Sequence, residues 1–323
     1  MSDPRVLRHV IESITPASDA HGEGARLHVA SAGTPLLERI AITLGGAQHT
    51  ARPRTERRTI VVVAGDHGVG DPGVALGAAH PTVIAMHAIS DGSAALCQVA
   101  RASRAPLLLL DAGSREPKSM PSGVMHLARG GASRDLLREP AMTVVDAALG
   151  LETGIAVMAS LSEEGLDVLA LGALGVGADV ASLALLGAAL GAPPTGFSDE
   201  VAELAGARGA ELAGASPLEL LATFGGGDTA VLAGMMLAAA ATNVPVVIDG
   251  YATGAAALVA AAFAPEVAGY LVAAHAGTFT MPRILAHLGL TPIFDVGLGH
   301  GEGTGAAMVL PMLDQVAALA AQG

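Results

Sequence analysis

The chain is poor in aromatic residues and in cysteine. Of its 323 residues only 2% are aromatic, none is tryptophan, and the single cysteine is Cys97. One cysteine excludes an internal disulfide bond and a thiolate metal cluster. Cys97 lies in the helical-looking segment "SAALCQVA", so we expect it to be a small core residue. This cysteine usage fits a reducing cytoplasm.

Basic residues are also scarce. The chain has 17 Lys and Arg against 30 Asp and Glu, which gives a formal net charge of −13. Proteins that bind nucleic acid present a basic face, so this balance argues against a nucleic-acid partner. It does not exclude an anionic small molecule, because backbone N–H groups can hold one locally.

The sequence lacks an uninterrupted apolar run long enough to predict a membrane span. Its beginning, "MSDPRVLRHVIESI", is charged and does not resemble a signal peptide. The most membrane-like stretch, residues 232–248, is interrupted by Asn243 and Pro245 and flanked by Asp228 and Asp249. We therefore predict a buried helix that runs into a buried strand, and no membrane partner.

The chain is rich in apolar residues and contains 42 glycines. Short apolar runs recur, each followed by Gly, Asp or His, with helical stretches between most of them. The runs are "IVVVAGDHGVG", "APLLLLDAGS", "LDVLALGALGVGAD", "VPVVIDGYATG", "AGYLVAAHAGT" and "TPIFDVGLGHGEGTG". This alternation predicts an α/β fold with a doubly wound, mostly parallel sheet. Ligands of such sheets bind outside the carboxyl ends of the strands, where these clusters fall.

Two of the loops leave alternatives open. Asp66 and His67 in "AGDHGVG" could orient a substrate, or Asp66 could accept loop N–H bonds; no complementary ligand set suggests a metal. The loop "LGALGVGAD" supplies Gly172, Gly175 and Gly177 before a helix, where backbone N–H groups could bind an anion. It lacks the lysine of a P-loop, and Asp179 would repel phosphate if it faced inward.

Two further aspartates follow a glycine-rich or an apolar segment. Asp228 follows three glycines, of which Gly226 is the second, and we expect it to cap the helix that follows. Asp249 stands at the end of a strand. It could contact a ribose hydroxyl, or it could hydrogen-bond a glycine-rich loop.

Glu302 is the strongest candidate for a catalytic acid or base. It stands in "GLGHGEGTGAAM", residues 297–308, with five glycines around it. Glycine at that density indicates a tight turn or a close approach to another group. The loop is either a solvated turn or the support of a general base over a bound substrate.

These segments, in this order, resemble the CobT family, the nicotinate-nucleotide:dimethylbenzimidazole phosphoribosyltransferases. The resemblance rests on "VVVAGDHGVG", "PAMT", "LGALGVG", "LLATFGGGD", "NVPVVIDGYATGAAALVA" and "GLGHGEGTGAAMVLPML". It implies a large domain over residues 51–305 with a Rossmann-like sheet, and a small helical domain built from residues 1–50 and 306–323. It also implies a homodimer. We predict neither a cofactor nor a metal.

The resemblance implies specific roles for residues. Glu302 would be the general base that takes a proton from the benzimidazole as its other ring nitrogen attacks C1′ of the nucleotide and nicotinate leaves. Binding of the nucleotide and its phosphate is expected at Gly172, Gly175, Gly177, Gly226, Asp249 and Gly303. Binding of the base is expected at Asp66, His67, Ala75, Ile84, Leu298 and Gly299.

The chain departs from the family pattern at substrate contacts. Ala75 stands where the family has a serine, Ile84 lies near the position of a glutamine, and Ala173 replaces a glutamate. The family's phosphate-binding lysine has no counterpart, and Arg208 is the nearest cation. Two alternatives therefore stand beside the standard activity: a CobT-like enzyme with a different base or donor, and a non-catalytic ligand-binding or partner subunit.

Overall fold

The core of the protein is a single parallel sheet. The computed structural model describes residues 5–70, 73–127, 131–195, 200–277, 280–295, 297–298 and 301–322. Its strands are β1 Arg58–Ala64, β2 Leu107–Asp111, β3 Met125–His126, β4 Val168–Leu174, β5 Val246–Ile248 and β6 Leu271–Ala273. They lie in the order β3-β2-β1-β4-β5-β6, and each neighbouring pair is parallel. The predicted α/β fold with a parallel sheet is confirmed.

Helices cover both faces of this sheet. In chain order they are α1 Arg5–Ser13, α2 Asp19–Val29, α3 Pro35–Ala47, α4 Pro81–Ser90, α5 Ala95–Ala102, α6 Val144–Glu163, α7 Ala178–Leu190, α8 Glu200–Glu211, α9 Pro217–Phe224, α10 Gly227–Ala241, α11 Gly250–Phe263, α12 Thr280–Leu288 and α13 Thr304–Gln322. Sheets covered on both faces need strands that are apolar along their whole length. Accordingly, every residue of β4 is buried.

The strand order reverses between β1 and β4. From β1 the chain builds outward through β2 to β3, and from β4 it builds the other way through β5 to β6. The two central strands pair in register, with Val62 opposite Gly172 and Ala64 opposite Leu174. Ligands of this sheet type bind in the crevice outside the carboxyl ends of the strands at such a reversal.

The membrane-like stretch at residues 232–248 is a buried helix and strand, as predicted. It forms most of α10, whose residues from Asp228 to Ala240 are buried, and then β5. Among the described residues, Pro81–Ala102, Val144–Glu163 and Thr304–Gln322 are long and apolar enough to cross a membrane by length and composition alone. Each of these segments also contributes side chains to the core of the folded chain, among them Met86, Leu151 and Leu313.

Helices from both ends of the chain share one face of the sheet. Ala25 of α2, Leu44 of α3 and Leu313 of α13 lie in one apolar cluster with Ile60 and Val62 of β1. Cys97 of α5 belongs to the same cluster and is a free, buried thiol, as predicted. The division into domains at residues 50/51 and 305/306 stays a prediction.

Candidate functional site

Two glycine-rich loops meet at the carboxyl ends of β1 and β4. Gly65 donates a hydrogen bond to the Leu174 carbonyl at 3.1 Å, and His67 donates one to the Val176 carbonyl at 2.8 Å. A side chain on Gly175 would overlap the Gly65 carbonyl oxygen. Glycine is therefore required there for the two backbones to approach each other.

Asp66 ties these loops together with its carboxylate. Oδ1 accepts hydrogen bonds from Val176 N at 2.9 Å and from the Thr82 hydroxyl at 2.5 Å. Oδ2 accepts one from Arg115 N at 2.7 Å. The residue is 2% exposed. Both oxygens are thus used in holding loops, which is the structural role that the sequence left open beside a role in base binding.

His67 forms a buried pair with Asp228. Its Nε2 lies 3.3 Å from Asp228 Oδ2, and both side chains are almost fully buried. Burial acts against the charged imidazole, but the charge and hydrogen bond of Asp228 outweigh it, so the pKa of His67 lies above its ordinary value. Gly226 packs directly on this pair, since a side chain there would come within 2.7 Å of His67 Cε1.

The prediction that Asp228 caps a helix is wrong. The N-cap of α10 is Gly226, which makes no side-chain cap, and Asp228 is the second residue of the helix. Its carboxylate turns to His67 instead. A negative charge in the first helical turn is still favourable, because the helix dipole is positive at that end.

The loop that carries Glu302 is clamped onto β4 on one side. Ala173 N donates to the Gly301 carbonyl at 2.9 Å. A side chain on Gly172 would overlap the Glu302 carbonyl group. Gly303 has a left-handed φ of 104° and packs against Ile60. Glu302 itself is half-buried.

Asp249 clamps the same loop from the other side. Its Oδ2 accepts hydrogen bonds from Gly303 N and Gly305 N, each at 2.9 Å, and its Oδ1 lies 2.5 Å from His275 Nε2. Asp249 is fully buried. Of the two roles that the sequence allowed for this residue, the hydrogen bond to a glycine-rich loop is present. A ribose hydroxyl would have to share oxygens that already have partners.

The remaining predicted residues differ in their exposure to solvent. Gly177 has a left-handed φ of 82° and is the N-cap of α7, without a side-chain cap. Asp179 follows it in the first turn and is exposed. Among the base-binding predictions, Ala75 is exposed, Ile84 is 55% exposed and Leu298 is half-buried.

Two other predictions need separate mention. Gly299 lies outside the described residues. Arg208, the nearest cation to the position of the family's lysine, lies on α8 and donates to the Leu137 carbonyl at 3.0 Å. Among the described residues, no three His, Cys, Asp or Glu side chains are arranged to hold a metal ion.

Tyr251 is a residue of this site that sequence reasoning missed. Burial raises the pKa of its phenol, and the charges of Asp179 and Glu302 raise it further. Tyr251 therefore lies close enough to both carboxylates to be influenced by them. Its place directly after the strand-end pair Asp249-Gly250 was the signal that could have identified it.

Fold and site together define a class of protein. A parallel sheet whose strand order reverses between β1 and β4, with glycine-rich loops and the half-buried Glu302 at the carboxyl ends of its strands, is typical of an α/β protein that binds a small ligand there. The chain matches the sequence family described as phosphoribosyltransferase over residues 15–322. It belongs to that family.

Two similar proteins share the same name. The nicotinate-nucleotide–dimethylbenzimidazole phosphoribosyltransferase of Desulforudis audaxviator is 32% identical to it, covering 98% of this chain and 95% of that protein. The protein of the same name from Cupriavidus necator is 34% identical, with coverages of 94% and 93%. The crystal structure of CobT from Thermus thermophilus superposes with a TM-score of 0.82 at 30% identity, covering 94% of this chain and 96% of that one.

Proposed function

We propose that this phosphoribosyltransferase moves the phosphoribosyl group of nicotinate mononucleotide to 5,6-dimethylbenzimidazole or a related aromatic base. The product would be an α-ribazole phosphate, the precursor of the lower ligand of cobalamin. Membership of the family and the names of similar proteins support this substrate pair. The observation that carries the proposal is the half-buried Glu302, held by its backbone between β4 and β5 at the crevice.

Glu302 would act as the general base. One nitrogen of the attacking base forms a bond to C1′, and the C1′–nitrogen bond to nicotinate breaks with inversion. The other ring nitrogen becomes strongly acidic as its partner bonds to carbon, and its proton passes to the Glu302 carboxylate. A carboxylate is a weak base in water, but it is sufficient for a proton whose acidity develops during the reaction.

The loops around Glu302 would bind the nucleotide. Gly172, Gly175 and Gly226 let these loops pack closely on the rest of the site, and Gly177 and Gly303 allow their sharp turns. The backbone N–H groups of the loops would then bind the ligand. The amino end of α7, with Gly177 as its N-cap, offers a positive helix end for the phosphate, and the charge of Asp179 in its first turn opposes it. Asp249 would contribute by holding this surface.

The residues expected at the base indicate which aromatic bases would be accepted. Ala75 and Ile84, which the resemblance places at the base, have no polar side-chain group, and both are exposed. Together with Leu298 and Gly299 they would form a base site with few polar contacts, with the buried Asp66 and His67 holding the loops behind it. Such a site would favour alkylated benzimidazoles over purines, whose polar edges would lose hydrogen bonds.

We also propose a cellular location and an oligomeric state for the protein. The cysteine usage and the similarity to biosynthetic transferases support a cytoplasmic location. A homodimer is the assembly implied by the resemblance. Sedimentation of the purified chain would test the dimer directly.

Product analysis tests the proposed function. The purified protein is incubated with nicotinate mononucleotide and, in turn, dimethylbenzimidazole, benzimidazole, adenine and p-cresol, and nicotinate release and the new nucleoside phosphate are quantified. We expect both products in equal amounts with the benzimidazoles. Nicotinate release without a coupled product would show a hydrolase, and binding without turnover across the whole panel would favour the non-catalytic alternative.

A further inference from the structure

We propose that the buried Asp249–His275 pair is a positioning device that fixes the Glu302 loop in its catalytic place. Asp249 would cap the amino end of α13 from another part of the chain, and His275 would keep the second carboxylate oxygen paired. The inference rests on the proposed function for its kinetic consequence. Its structural consequence, the order of the loop, does not depend on that function.

The Asp249 carboxylate is directed away from its own helix. Asp249 is the N-cap residue of α11, a position where aspartate ordinarily accepts bonds from the N–H groups of its own helix. It makes no such bond there. Its carboxylate instead receives Gly303 N and Gly305 N, the donors that flank Thr304 at the start of α13.

At the start of α11, other groups satisfy the backbone of Asp249 and leave its carboxylate available to the Glu302 loop. The hydroxyl of Thr253, one turn into the helix, accepts a hydrogen bond from Asp249 N at 2.8 Å. Gly250 has a left-handed φ of 77°, and a side chain on it would come within 2.6 Å of Gly301 Cα. The chain therefore turns sharply after Asp249 and lies against the loop that carries Glu302.

His275 is the partner of the other carboxylate oxygen of Asp249. Asp249 Oδ2 accepts two N–H bonds, and Asp249 Oδ1 lies within hydrogen-bond distance of His275 Nε2 at 2.5 Å, so both oxygens have partners. His275 Nδ1 is buried without a partner among the described residues. The ring is 1% exposed, and a side chain on Gly305 would collide with both members of the pair. An oxygen of Asp249 left unpaired here would be buried without solvent.

The pair therefore acts on Glu302 through the backbone. Glu302 lies between Gly301, held by Ala173 of β4, and Gly303, held by Asp249. Loss of either support would let the peptide of Glu302 move relative to the crevice. A shift of about 1 Å in a reacting group lowers rates by about 10²-fold.

Three variants and one control test the proposal. His275→Gln keeps an N–H donor near the position of Nε2, His275→Leu removes it, and Asp249→Asn keeps the shape but not the charge. The control is His126→Gln, because the Asp111–His126 pair (2.9 Å) lies at the ends of β2 and β3. Each protein is measured for kcat and KM with both substrates, and for hydrogen exchange of the peptide that contains Gly303 and Gly305.

We expect kcat to fall between about 10- and 100-fold in Asp249→Asn and His275→Leu, with KM for both substrates within about threefold. Exchange at residues 303–305 should rise in both, and His275→Gln should recover most of the wild-type kcat and protection. Wild-type kcat and protection in both defective variants would overturn the proposal. A higher KM for the nucleotide with unchanged kcat would overturn it too, by making Asp249 a substrate contact.

Failure of the proposed function can be distinguished from failure of the positioning role. If the wild-type protein releases no nicotinate, the exchange measurement alone decides. Faster exchange at residues 303–305 in His275→Leu and Asp249→Asn, but not in His126→Gln, would still support the pair as the support of this loop. Unchanged exchange would overturn it. Asp249→Asn, which is nearly isosteric, provides this result if His275→Leu does not fold.

Discussion

Gly172 of β4 lies directly beneath the Glu302 peptide, so close that any side chain on Gly172 would overlap the Glu302 carbonyl group. The two residues are 130 positions apart in the chain, since one lies in the central strand and the other in the last loop. The contact explains why a strand that is otherwise apolar contains a glycine. It also ties the position of the candidate general base to the backbone of the sheet.

We expect Gly172→Ala to impair activity more than folding. The added methyl group must push the 301–303 loop away from β4, which should lower kcat about 10²-fold. The free energy of unfolding should fall by about 1–3 kcal/mol, as for other overpacked sites. Steady-state kinetics and denaturant unfolding measure the two effects.

Gly46→Ala is the matched control for that variant. Gly46 lies inside α3, and a side chain on it would meet its nearest neighbour, Ser18 O, at an ordinary 3.4 Å. Activity should stay at the wild-type level. Equal losses of kcat in the two variants would contradict the role assigned to Gly172.

The His67–Asp228 pair predicts a pH-dependent contribution to stability. The pKa of His67 is raised in the folded state above its ordinary 6.5, because the Asp228 charge outweighs the burial that opposes it. The stabilisation is therefore fully present below about pH 6.5. It is lost as the pH rises through the folded pKa.

Unfolding measured from pH 5 to pH 9 tests the predicted direction of this pH dependence. The difference in the free energy of unfolding between the wild type and His67→Gln should be largest at acidic pH and shrink as the pH rises. Asp228→Asn should remove most of this dependence, since it removes the main favourable charge. A difference that grows with pH would contradict the assignment.

Arg58 and Asp314 connect β1 to α13 and should contribute to stability. Arg58 donates to Asp314 at 2.5 and 2.9 Å, and its side chain is only 8% exposed. Asp314→Ala leaves this guanidinium without its partner, so we expect a loss of about 1.5–3 kcal/mol in the free energy of unfolding. Arg138→Ala, at an exposed pair with Asp135, should lose less than about 1 kcal/mol. Equal losses in the two variants would show that the Arg58–Asp314 pair is no stronger than a surface pair.

Much of the fold could be predicted from the sequence because its signals are local. Five of the six apolar runs that end in Gly, Asp or His mark a strand and the edge where it ends. The sixth, "TPIFDVG", forms only an isolated bridge between Phe294 and His275 in the part of the chain that the structure describes. The same signals placed Asp66 and Asp249 at strand-end loops, and the loop of Glu302 lies beside them. Parallel strands end at one edge, so a site at that edge followed without knowledge of the strand order.

The partners of these residues could not be predicted, because they depend on the strand order. His67 meets Asp228 rather than a substrate only because α10 begins beside the loop after β1. Asp228 looked like a cap because a cap is decided by local sequence, but a buried imidazole competed for the carboxylate. Tyr251 was overlooked because its place after Asp249-Gly250 indicates the edge of the sheet but not its nearness to Asp179 and Glu302.

Replacement of Glu302 tests the central claim most directly. Nicotinate release from nicotinate mononucleotide is followed under saturating dimethylbenzimidazole for the wild type and for Glu302→Gln, which keeps the size of the side chain and removes its basicity. We predict a fall in kcat of between about 10²- and 10⁴-fold with little change in KM. Release by Glu302→Gln at the wild-type rate would contradict the assignment of Glu302 as the general base.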